Sequence, residues 1–112
     1  MEPATSWKST LSSCDEFPGD PLWQALAALA RKVSSRWERR VGVHSSIDRY
    51  LLFTRPRAKY PFNPVVKVTW TDGVYAFQLE NLVGVVTADK CFEPRSVAVL
   101  TAFLEQLVVD DT

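Results

Sequence analysis

The sequence predicts an α+β fold: a curved antiparallel meander of about four strands, in the order α-β-β-β-β-α, with an N-terminal and a C-terminal amphipathic helix packed on one face. Three observations predict it. A helical stripe of large apolar residues runs through 21–41, an Asp-Gly turn separates two alternating segments around Asp72-Gly73, and a second helical stripe follows Pro94. Short links between consecutive strands favour antiparallel neighbours, and segregation of the helices to the ends of the strand run favours α+β layering.

The first nineteen residues show no periodicity. Trp7 and Phe17 stand isolated among Ser, Thr and acids, so residues 1–19 are expected to be a flexible arm that docks at its aromatics, with one domain over 20–112. The first helix begins at Asp20-Pro21, an N-cap followed by a residue whose missing N–H costs nothing at the first helical position. Leu22, Leu26, Leu29, Val33 and Trp37 form its core stripe, and Gly42 suits a left-handed stop after Arg39 and Arg40. The helix is therefore expected to reach about residue 41.

His44-Ser45-Ser46 reads as a polar link and Arg49–Thr54 as a short aromatic-rich strand. The ten residues Arg55–Pro64 contain three prolines, so they form a loop, and a long one for a compact domain. Asp72-Gly73 is the preferred type I′ hairpin dipeptide. Pairing Thr71 with Val74 places Trp70, Val68 and Val66 opposite Tyr75, Phe77 and Leu79 on one face, so turn chemistry and apolar pattern agree on one register. Glu80-Asn81 makes the next turn, and Val83–Thr87 the last expected strand, with Gly84 at a bulge. The final helix carries Val97, Leu100, Leu104, Leu107 and Val108 on its stripe, supported by Phe103.

Function is less legible. The longest apolar run falls short of a membrane span, and Met1–Gly19 lacks the basic and apolar regions of a signal peptide, so a cytoplasmic protein without membrane contact is expected. One histidine and two distant cysteines do not make a zinc spacing, and four scattered glycines leave no phosphate-cradling loop; no metal or cofactor is expected. His44 with Cys91, Ser45 or Ser46 is a nominal base and nucleophile, and Asp89 with Glu93 a nominal acid pair, but a solvated loop histidine, a small buried thiol and helix-start acids explain them better. No catalytic residue is assigned and no enzyme is expected.

Charge is uneven within a net charge of zero: Arg31 to Lys67 hold ten Lys and Arg against Glu38 and Asp48. Arg36, Arg39, Arg40, Arg55, Arg57 and Lys59, interleaved with Tyr60 and Phe62, are the candidate partner-binding residues, since arginines alternating with aromatic platforms suit a single-stranded nucleic acid or an acidic protein surface. A second feature is apolar: RYLLF and LVGVV are hydrophobic at consecutive positions, so the first and last strands offer apolar side chains to both faces while two helices cover only one. The reading is a non-enzymatic protein-binding module of the chaperone, adaptor or inhibitor type. It is expected to pair with itself as a homodimer or with a protein partner, through the outer sheet face, the edge strand and the basic loop. Nucleic-acid binding by the 36–62 region is the alternative.

Overall fold

The computed structural model describes residues 3–58 and 62–109. Three helices lie against a five-stranded antiparallel sheet: α1 (Pro3–Asp15), α2 (Pro21–Trp37), β1 (Gly42–Ser46), β2 (Tyr50–Thr54), β3 (Val65–Thr71), β4 (Val74–Asn81), β5 (Gly84–Phe92) and α3 (Glu93–Val109). The strands follow one another in space as they do in sequence, from β1 at one edge to β5 at the other. The expected α+β meander is present, with five strands instead of four.

The hairpin around Asp72-Gly73 has the register read from the sequence, with Thr71 opposite Val74, Trp70 opposite Tyr75 and Val66 opposite Leu79. Both turn residues have positive φ, 49° and 87°, as a type I′ turn demands. Continuing the register across the sheet gives rows of inward side chains: Val43, Phe53, Val66, Leu79, Thr87, then Leu51, Val68, Phe77, Asp89. These rows are buried from β1 or β2 to β4, and all three helices meet them. Trp7 of α1 packs on Phe53, the Tyr75 hydroxyl donates to the Ala25 carbonyl of α2 at 2.8 Å, and Phe103 of α3 stacks on Phe77.

Helix α2 starts as expected: the Asp20 side chain accepts from the Leu22 N–H at 3.1 Å, and Pro21 takes the first turn. It ends at Trp37, four residues early, because Gly42 is not its stop but the first residue of β1. A β-carbon at Gly42 would lie 2.8 Å from Thr54 Oγ1, so glycine is needed there for close strand approach. The link His44-Ser45-Ser46 is therefore the strand that was missed. In α3 the buried face is Ser96, Val99, Leu100, Phe103, Leu104 and Leu107; Val97 of the expected stripe is exposed.

The larger correction concerns the N-terminus. Residues 3–15, expected within a flexible arm, form helix α1, and Trp7 and Cys14 are each only 1 % exposed. The helix is held by hydrogen bonds as much as by apolar contact. Trp7 Nε1 donates to the Val41 carbonyl at 2.7 Å, Ser6 Oγ accepts from the Val43 N–H at 3.0 Å, and Thr10 Oγ1 donates to the Val43 carbonyl at 2.9 Å. Small hydroxyl residues are buried here because they satisfy the outward backbone groups of an edge strand, which could not otherwise be covered without loss.

Candidate functional site

The basic residues singled out from the sequence are put largely to structural use. Arg36 pairs with Glu105 at 2.8 Å, Arg40 lies over the Trp37 ring at 4.2 Å, and Arg55 Nε donates to the Leu107 carbonyl at 2.9 Å. Two of the set, Arg36 and Arg55, thus meet the last turns of α3, where cations suit the negative end of the helix dipole. Arg39 and Arg57 are exposed, Arg57 at a positive φ of 62° in the loop. Phe62 stacks on His44 with ring centroids 4.6 Å apart, anchoring the loop over the outer face of β1; Lys59 and Tyr60 lie outside the described residues.

The nominal catalytic groups are not assembled. His44 is on β1 and Cys91 on β5, at opposite edges of the sheet. Four inter-strand spacings separate them by roughly 19 Å. Burial pushes the Cys91 and Cys14 thiols up, away from the reactive thiolate, and burial pushes the His44 imidazole down. Ser46 Oγ accepts from the Asp48 N–H, Asp89 from the Lys90 N–H, and Glu93 pairs with Lys32. Among the described residues no group of three or more His, Cys, Asp or Glu could hold a metal ion, and no helix is long and apolar enough to cross a membrane.

The unexplained chemistry lies on β5. Every residue from Asn81 to Lys90 is exposed, so the inward rows that are buried through β4 end at Thr87 and Asp89 beyond the reach of the helices. The register shift beside Leu79 and Glu80 sets Thr87 opposite Leu79 but Val85 opposite Glu80, which makes Val86 the extra residue of a bulge. Val85 and Val86 are 54 % and 53 % exposed, and Phe92 at the other end of the strand is 68 % exposed. At the hairpin tip, Leu82 and Val83 are 83 % and 96 % exposed. The tip is nevertheless built firmly: Asn81 Oδ1 accepts from the N–H groups of both Val83 and Gly84, at 2.8 and 3.2 Å.

Two hollows flank Phe92. One, of about 480 Å³, is lined by Val74, Lys90, Cys91, Phe92, Pro94 and Arg95. The other, of about 570 Å³, lies between Phe92, Trp70, Tyr75 and the Ala25–Ala28 surface of α2. No family model matches the chain, and neither does any curated protein or solved structure. The sequence carried a signal for part of the site: the alternation that marks β3 and β4 breaks down in LVGVV, and those residues are exposed in the structure. The outer face of β3 and β4, also considered from sequence, is more polar, with Lys67, Thr69, Ala76 and Gln78 around a shallow hollow of about 210 Å³.

Proposed function

We propose that the chain is a non-enzymatic protein-binding module whose docking site is the free edge of β5, where a strand from a protein partner is added to the sheet. The observation that carries this reading is the opposite treatment of the two sheet edges. At β1, side chains from α1 occupy both backbone groups of Val43. At β5, nine residues of strand run along the outside of the sheet with valines exposed, and neither proline nor a covering helix protects them. An open edge of this length, even with a bulge at Val86 and Lys90 on it, is a template for pairing, and strand addition uses such edges: main-chain hydrogen bonds supply affinity and alternate side chains supply selectivity.

The test is selection of random linear peptides on the immobilised full chain, followed by NMR mapping of the best binder. Amide shifts confined to 83–92, and loss of binding in Ala88→Pro, whose N–H faces away from β4, with the fold retained, are the expected result. Binders that map to Arg39 and Arg57 instead, and weaken steeply with salt, would replace this reading with one based on the basic surface.

A further inference from the structure

We infer that the partner at this edge is a second copy of the same chain, joined β5 to β5 about a two-fold axis near Thr87 to make one continuous ten-stranded sheet. The inference rests on the edge-binding reading and adds the occupant. Its basis is that the strand carries a projection at one end and a recess at the other. The projection is the exposed Leu82-Val83 tip that precedes β5; the recess is the hollow lined by Val74, Lys90, Cys91, Phe92, Pro94 and Arg95 around its last residues. Antiparallel self-pairing exchanges the two ends, so each projection meets the other copy's recess, and it does so twice by symmetry.

The side chains select the register. An axis perpendicular to the sheet must pass through a residue, because paired positions in an antiparallel ladder share a face. Centring on Thr87 sets Thr87 opposite Thr87 and the bulged pair Val85-Val86 opposite Ala88, and brings Gly84 and the turn residues Val83 and Leu82 to the Asp89–Phe92 end of the other copy. No like charges face one another, and a threonine pair is among the favourable cross-strand neighbours. Centring on Asp89 would oppose two carboxylates. The exposed residues Leu82, Val83, Val86 and Phe92 all gain apolar neighbours in the Thr87 arrangement, and the three helices of both copies stay on one side of the joined sheet.

Light scattering and sedimentation of the full chain at low and high salt test this directly. The expected mass is twice that of the chain and insensitive to salt. Thr87→Lys, which sets two ammonium groups against each other at an exposed position, and Leu82→Asp, which removes the projection, should each give monomers with unchanged circular dichroism. Thr87→Cys should form a disulfide-linked pair on mild oxidation while the wild type, whose cysteines are buried, does not. A wild type that stays monomeric to millimolar concentration, or a dimer that survives Thr87→Lys, overturns the inference. If that monomer still captures peptides at 83–92, the edge reading stands without the second copy; if it captures none there, both fall.

Discussion

Trp7 and Trp37 provide a matched comparison. Both indoles are buried, at 1 % and 0 % exposure, yet Trp7 donates to the Val41 carbonyl at 2.7 Å while Trp37 Nε1 has no hydrogen-bond partner among the described residues. Replacement by Phe removes the same atoms at each site. At position 7 it also strands the carbonyl of fully buried Val41 without its donor, at a cost of about 1–3 kcal/mol. At position 37 it deletes an unsatisfied donor whose burial is itself unfavourable by about 1–3 kcal/mol, and this relief offsets the lost packing. Trp7→Phe should therefore be less stable than Trp37→Phe by about 2 kcal/mol or more, a large part of the roughly 5–15 kcal/mol that holds a domain together. Urea unfolding followed by circular dichroism measures both, and equal m-values for the two variants would show that they unfold from the same native state. A Trp7→Phe variant as stable as Trp37→Phe would refute the claim that α1 is fastened to β1 by this hydrogen bond.

Three further outcomes follow from local geometry. Gly73→Ala should cost about 1–2 kcal/mol in chemical unfolding, because φ is 87° and the space around the position is open, leaving backbone conformation as the only penalty. Burial lowers the folded pKa of His44, so the unfolded chain takes up the proton first; stability should fall as pH drops through the ordinary imidazole range near 6.5, and His44→Phe, which keeps the stack on Phe62, should remove that slope. Asp20 has the same sign at lower pH: hydrogen bonds from Arg49 and the Leu22 N–H hold its carboxyl below the usual range, so its stabilisation is complete above that range and is lost as pH falls through the lowered value. An Asp20→Asn variant whose acid unfolding keeps the wild-type pH profile would contradict this.

The elements that were legible in the sequence are those that specify themselves. The β3-β4 hairpin has a turn dipeptide and a two-residue apolar period that agree, and α2 has its cap, its proline and its stripe. Helix α1 and strand β1 lack such signals because each is defined by the other. The buried positions of α1 include Ser6 and Thr10, which no apolar period would find, and they are buried because they bond to Val43. Only Val43 of β1 and Val41 just before it go to the core, around a glycine that Thr54 requires to be small. Trp7, Leu11 and Cys14 do fall at helical spacing, but three positions among Ser and Thr are too few to read as a period. The candidate site was half legible for a related reason. LVGVV announced apolar residues on both faces, but that β5 lies beyond the helices is a matter of sheet order, while the basic cluster was conspicuous in sequence because arginines are what the C-terminal end of α3 and the Trp37 ring require.

The closed edge at β1 matters to the open edge at β5. A sheet with one free edge pairs with a second copy and stops, since the two-fold arrangement consumes the edge of both; a sheet with two free edges can add copies at each side without closure. On the proposed β5 pairing, helix α1 would decide between a dimer and an open-ended assembly. Trp7→Asp should undock it by burying a charge against Phe53, exposing the Val43 backbone groups now bonded to Ser6 and Thr10. The expected result is light scattering that grows with time and concentration and a fibre-like rise in β-sheet signal. Adding Thr87→Lys, which blocks the other edge, should cap that growth at pairs joined through β1. Growth that continues unchanged in the double variant would mean that assembly does not run edge to edge, and would remove β5 from its proposed place as the strand that meets a partner.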